Sequence, residues 1–237
     1  LIQRWQHYAA ACVALAMTAC SVIARAAPGD AAPLTLKVTV GGLSTDGRLS
    51  PSAAYCAPPG TDPAHHNISP EVRWSRGPAG TRSYALVMTD LDVPKDLSLM
   101  NKPGVTIAVD EPRVPFIHWT LIDIPPHITR LPRGAQSAGF VPMGRPVGRS
   151  RYGITGANVY SFFYPKGSPL AGIRGGYDGP CPPKNDPKPH RYVTRVYALD
   201  IPSLELSGAF FGEKALEKMA GHILASGEAV AYSGGVN

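Results

Sequence analysis

Residues 82–90, Arg-Ser-Tyr-Ala-Leu-Val-Met-Thr-Asp, carry apolar side chains at consecutive positions. Successive side chains of a strand point to opposite faces, so a run with no polar face needs cover on both sides. This run predicts a central strand with a packed layer on each face, delivering Asp90 and Asp92 to its C-terminal edge. Glycine and proline number 25 each in 237 residues and only 17% of the side chains are charged, which favours many turns, short strands and few helices. A β-rich chain of this length commonly folds as one unit, so residues 27–237 are read as a single mainly β domain.

Around the central run, residues 34–40 alternate apolar and polar with period two and predict one half-buried strand ending at Gly41-Gly42. Residues 43–69 are turn and loop, and residues 71–74 resume an extended pattern. Residues 95–113 form a polar, Gly/Pro-punctuated surface insertion. Residues 116–124 predict a second long strand, with Phe116, His118, Thr120 and Ile122 on one face and Ile117, Trp119 and Leu121 on the other. Residues 130–189 read mostly as loop, with a short strand at 159–164, and ordered loops of that length tend to be functional. Residues 190–200 return as a strand. Residues 213–224 predict the one helix, with Leu216, Met219, Ala220, Ile223 and Leu224 on its core side. Residues 229–232 predict a last strand.

The first 26 residues read as an export signal: a weak basic start at Arg4, an Ala-rich apolar run over residues 8–23, and a small-x-small site before Ala27. A periplasmic or secreted location follows, with lipidation at Cys20 as an alternative that would bring the protein to a membrane. Losing Arg4 and Arg25 leaves 21 basic against 17 acidic side chains, an excess of about four, and no basic run is interleaved with aromatics in the manner of a nucleic-acid binder. Cys56 and Cys181 remain, either as one disulfide or as two unlinked thiols.

Asp90, Asp92, His118 and His190 are the polar groups placed to converge, each on a predicted strand beside a Gly/Pro loop. Three chemistries fit them. A carboxylate beside an imidazole raises the histidine pKa and leaves a charged donor for an anion. Two histidines and an aspartate can hold a metal, and an Asp–His pair can work as acid and base. The segment Gly175-Gly176-Tyr177-Asp178-Gly179-Pro180-Cys181-Pro182-Pro183 favours the anion, because a tight Gly/Pro loop can aim the N–H groups of Gly176, Tyr177, Gly179 and Cys181 into one concavity. No nucleophile elbow, Walker loop or zinc-protease motif is present. His65 and His66 read as solvated loop residues.

Asn67-Ile68-Ser69-Pro70 with Trp74, Asp90-Leu91-Asp92-Val93-Pro94, His118-Trp119, Gly179-Pro180-Cys181-Pro182-Pro183 and His190-Arg191-Tyr192, in this order, resemble the phosphatidylethanolamine-binding protein family, its bacterial branch above all. The resemblance covers residues 34–232. It implies a large antiparallel sheet packed on a smaller one, a C-terminal helix, and a small pocket for a phosphate-type anion or a phospholipid head group, without a cofactor or metal. It assigns Asp90, Asp92, Pro94 and His118 to that pocket, Tyr177, Gly179 and Pro180 to its rigid loop, and His190 and Tyr192 to its second histidine and aromatic wall. It also implies a Cys56–Cys181 disulfide tethering the loop.

The chain departs from the pattern in three places. Leu91 stands where the family has proline, the 95–113 and 133–174 stretches are long, and no arginine follows Tyr232. Two other functions stay open at this point: a hydrolase using Asp92, His118 and His190, and an inhibitor of a protease or kinase acting through the long loops.

Overall fold

The computed structural model describes residues 34–235. The expected export signal, Cys12 and Cys20 lie outside them. In chain order the strands are β1 Leu34–Thr35, β2 Val38–Val40, β3 Val72–Trp74, β4 Ser83–Pro94, β5 Arg113–Ile124, β6 Arg130–Leu131, β7 Gly148–Ser150, β8 Gly153–Thr155, β9 His190–Leu199 and β10 Ile223–Ser233. The helix α1, Gly212–Met219, lies between β9 and β10. A seven-stranded sheet has the order β1-β10-β9-β4-β5-β8-β7, and a three-stranded sheet the order β2-β3-β6. The large sheet is antiparallel except where β1 runs parallel to β10.

β4 is the central strand, as its two-faced apolar run requires. Tyr84, Leu86 and Met88 pack with Trp119, Leu121, Val196 and Ala198 against Val38, Val72, Trp74 and Leu131 of the small sheet. Ala85 and Val87 point the other way, into a second cluster with Ile117, Ile122, Tyr197, Leu204, Phe210, Ala215 and Met219.

Several elements differ from expectation. Residues 34–40 are two strands in two sheets: Leu36 is the pivot, its N–H bonding Ser226 of the large sheet, after which β2 pairs with β3. The helix stops at Met219 because Ala220 turns extended and Gly221 takes φ 82°, so Ile223 and Leu224 open β10 rather than extending a helical face. Its core side is Gly212, Ala215 and Met219, while Leu216 is exposed. Val159–Phe162 is a 3-10 turn capped by Asn158, not a strand. His65 is exposed, but His66 is buried, its ring stacked on Phe140 and its Nδ1 3.0 Å from the Tyr55 carbonyl oxygen.

The period-two division of β5 also fails, and at the site. Met88 pairs with Trp119 and Thr89 with Ile117, so one step along β4 answers two along β5 and His118 is the extra residue of a β-bulge. A bulge re-aims a side chain locally. Ile117 accordingly joins the helix-side cluster while Trp119 joins the inter-sheet core, and the His118 ring meets Tyr192 on the Trp119 side. A second irregularity lies between Asp90, paired with Phe116, and Val93, paired with Val114, and it holds Leu91 and Asp92.

Candidate functional site

A cavity of about 160 Å³ opens at this end of the large sheet, lined by Asp90, His118, His190 and Tyr192 together with Phe116, Tyr160, Phe163 and Cys181. Clefts for drug-sized ligands run from roughly 300 to 1,000 Å³, so this one suits a small group. Four of the residues singled out in the sequence thus converge on one hollow.

His118 is 3% exposed, and its Nδ1–H donates to the Asp178 carbonyl oxygen at 2.9 Å. A carbonyl can only accept, which fixes the tautomer and leaves Nε2 for the cavity. Burial lowers the His118 pKa below the ordinary histidine value, with the Asp90 charge offsetting part of the effect, so the ring is neutral at pH 7. His190 differs. Its Nδ1 lies 2.8 Å from Asp90 Oδ2 and its Nε2 3.1 Å from Asp186 Oδ2. Burial alone would lower its pKa, but the hydrogen bonds and charges of the two carboxylates outweigh it and hold the pKa above the ordinary value. With both nitrogens committed, His190 orients Asp90 rather than offering a free donor.

Asp92 is fully buried and turns away from the cavity. Its carboxylate receives Arg191 Nε at 2.8 Å, Arg191 Nη2 at 3.0 Å, the Arg191 backbone N–H at 2.9 Å and Lys188 Nζ at 2.8 Å. Burial would raise its pKa, and these partners more than reverse that. Its own N–H donates to Asp90 Oδ1 at 2.8 Å, so Asp92 also positions Asp90. Pro94, the last residue of β4, pairs with Arg113, whose guanidinium bonds the Asp92 carbonyl oxygen and Asp186.

Tyr177, Gly179 and Pro180 lie behind the wall. The Tyr177 hydroxyl donates to the Ala53 carbonyl oxygen at 2.7 Å, and the Pro180 carbonyl oxygen accepts from the Tyr55 N–H at 2.8 Å. The Gly176 N–H donates to Gly156 and the Gly179 N–H to Asn67 Oδ1, so these two do not face the hollow. Cys181, joined to Cys56 by a disulfide with Cα atoms 5.1 Å apart, lines it instead. A Cβ on Gly179 would sit 1.9 Å from the Ala53 carbonyl oxygen and 2.7 Å from the Tyr177 hydroxyl. Gly179→Ala is therefore expected to lower stability by about 1–3 kcal/mol, as overpacking against backbone does; an unchanged urea midpoint would refute this.

The residue missed in the sequence is Asp178. Fully buried, it accepts from Asn67 Nδ2 at 2.7 Å, Arg145 Nη2 at 2.6 Å and Asn158 Nδ2 at 3.1 Å, with Arg174 Nη1 at 3.7 Å, while its main-chain oxygen anchors His118. Asp186, four residues before His190, was missed as well. The aromatic wall was hidden in a stretch read as strand: Asn158 caps the 3-10 turn that presents Tyr160 and Phe163, and the Tyr160 hydroxyl bonds the Gly179 carbonyl oxygen at 3.0 Å. Among the described residues no group of three or more His, Cys, Asp and Glu side chains is arranged to hold a metal ion.

This fold, a large sheet with a strand-end pocket built on an Asp-x-Asp segment and two histidines, defines a class, and comparison with known proteins gives it a family. The phosphatidylethanolamine-binding protein family model matches residues 41–233, and the chain belongs to that family. A UPF0098 protein from Methanothermobacter thermautotrophicus is 31% identical over 158 residues, 67% of this chain and 77% of that protein. The UPF0098 protein YbcL of Escherichia coli is 30% identical over 152 residues, 62% of each chain. The crystal structure of YbcL, described as a new member of the mammalian PEBP family, superposes with a TM-score of 0.55 at 24% identity, covering 85% of this chain and 99% of that one. The structure of CT736 from Chlamydia trachomatis gives 0.56 at 22% identity over the same shares. At these identities the two structures speak for the fold.

Proposed function

We propose that the chain is an exported protein that binds a small phosphate-type anion, free or as a phospholipid head group, in the cavity at His118. The observation that carries this is the imidazole nitrogen left uncommitted, Nε2 of His118, at a small hollow. Cys181, held by its disulfide to Cys56, lies on the same lining. The charge of Asp90 is offset by the His190 ring, whose Nδ1 lies on Asp90 and whose Nε2 lies on Asp186. Tyr192 closes the side against the His118 ring, at 5.2 Å between centroids. Membership of the phosphatidylethanolamine-binding protein family supports a ligand-binding role.

Because the His118 ring is neutral in the free protein and its Nδ1 carries the proton, Nε2 can donate to an anion only after a proton is taken up there. An anion favours the charged ring and raises its pKa. Binding therefore takes up a proton at His118, and affinity is expected to rise as pH falls from the bound-state pKa towards the lower free-state pKa. Calorimetry of phosphoethanolamine binding near neutral pH, in buffers of different ionisation enthalpy, is expected to show net proton uptake, and His118→Gln to abolish both the uptake and most of the binding. Binding without proton uptake, unaltered in a folded His118→Gln protein, would sink the assignment.

A further inference from the structure

The long 133–174 stretch carries a second hollow, which shares no lining residue with the cavity at His118. It is a groove of about 300 Å³ lined by residues 134–138 and 145–150 together with Thr155 and Gly175. Successive side chains of an extended chain point to opposite faces, so an unbroken run that lines a groove does so with its backbone as well as its side chains. Both runs are secured from elsewhere. The Gly134 N–H donates to the Ser69 carbonyl oxygen and the Ser69 N–H to that of Ser137, each at 2.8 Å, and the Gly175 N–H donates to the Arg145 carbonyl oxygen at 2.7 Å. Residues 148–150 are β7, the terminal strand of the large sheet, paired there with β8. The other edge of a terminal strand presents N–H and C=O groups to any chain that comes alongside.

The charge around the groove is positive. Between Asp123 and Asp178 the chain has no acidic residue, while arginine recurs as Arg130, Arg133, Arg145, Arg149, Arg151 and Arg174. Every residue that lines the groove falls in this interval. Arg149 is on the lining, Arg133 precedes the first run and Arg151 follows the second, and all three are exposed. Arg133 bonds the Ser52 hydroxyl at 3.0 Å and Arg151 lies 4.8 Å over the Tyr152 ring, neutral partners that leave both charges uncancelled. The carboxylates of the adjoining segments are engaged. Glu71 is shared by Arg73 and Arg130, Asp178 by Arg145 and Arg174, and Asp123 accepts from the Ser203 hydroxyl and the Leu204 N–H.

We propose that this groove takes an extended acidic peptide segment of a partner protein, added to the large sheet as a strand beside β7, with its carboxylates meeting Arg133, Arg149 and Arg151. Strand addition draws affinity from main-chain hydrogen bonds and specificity from alternate side chains. The edge of β7 supplies the first and the arginines the second, since a guanidinium fork matches a carboxylate with two parallel hydrogen bonds. Glycine at 134, 148 and 175 keeps the lining low, so a backbone can come close. The exposed ion pairs weaken as salt rises. The groove and the His118 cavity have no residue in common, so the two can be tested apart.

The test is fluorescence anisotropy at low salt with a labelled hexapeptide of alternating glutamate and valine, set beside the same peptide N-methylated along its backbone, which keeps the charge and removes the main-chain donors. The wild-type chain is expected to bind the first saturably and the second at least about tenfold more weakly, the loss of more than one hydrogen bond. Arg149→Ala is expected to weaken binding about threefold and Arg149→Glu about tenfold, as losing and then inverting one exposed charge does. Arg149 does not line the cavity, so both variants are expected to keep the wild-type urea midpoint and response to phosphoethanolamine, which checks that they are folded. Equal affinity for the two peptides overturns strand addition, and absence of saturable binding, or binding unaltered in Arg149→Glu, overturns the site. A single-stranded oligonucleotide of equal charge that binds more tightly than the peptide overturns the proposal in favour of a nucleic-acid partner.

Discussion

Asp178→Ala is expected to cost about 3–5 kcal/mol of folding stability, the range for removing one partner of a buried ion pair. Arg174 has no exposed side-chain surface and Arg145 only 17%, and both turn towards this one carboxylate. Without it two guanidinium groups are left in low dielectric, and Asn67 and Asn158 lose an acceptor. Because domains are stable by only about 5–15 kcal/mol, such a loss endangers folding itself. Asp178→Asn keeps the shape and part of the hydrogen bonding, so it is expected to fall between the wild type and the alanine variant. The anion site suffers with the fold, since His118 hangs on the carbonyl of the same residue. Urea unfolding of the three proteins checks this, and a loss below about 1 kcal/mol in Asp178→Ala, the size of an ordinary surface or neutral hydrogen-bond change, would contradict the account.

The second large effect lies in the disulfide. Cys56 and Cys181 are 125 residues apart, and closing a loop of that size removes much of the unfolded chain's freedom. The loop-entropy argument gives about 5 kcal/mol, and native disulfides in small domains are worth about 2–5 kcal/mol. Here the bond also holds Cys181 at the cavity wall and braces the segment between Gly179 and Pro183. Cys56→Ser/Cys181→Ser, or the reduced wild type, is expected to unfold at markedly lower urea and to bind phosphoethanolamine more weakly even where still folded. Equal midpoints for the reduced and oxidised protein would refute the stabilising role.

The central sheet and the site were legible to different depths. The run at residues 82–90 gave β4 and its double cover because burial on both faces leaves a compositional mark. Asp90, Asp92, His118 and His190 could be brought together since each lies on a predicted strand beside a Gly/Pro loop, and the family's ordered motifs added Tyr192. What periodicity cannot carry is an inserted residue. The bulge at His118 and the irregularity at Leu91-Asp92 shift side chains between faces without altering the alternation written in the sequence. For the same reason the crossing at Leu36 was invisible: β1 and β2 both keep period two while belonging to different sheets. Asp178 escaped because its partners, Asn67, Arg145, Asn158 and Arg174, are scattered along the chain and only the folded loop gathers them. Asp92 looked like a pocket acid from its spacing, yet Arg191 and Lys188 claim its carboxylate.

The central claim is that an anion binds at Nε2 of His118 and stabilises the protonated ring. The most direct test is a pH titration of the His118 and His190 ring resonances by NMR, with and without phosphoethanolamine and inorganic phosphate. The account predicts a His118 pKa below the ordinary histidine value in the free protein, a saturable shift and a raised pKa on adding either ligand, and a smaller response of His190, whose nitrogens stay with Asp90 and Asp186. A His118 ring whose shift and pKa are unmoved by saturating concentrations of both ligands would contradict it.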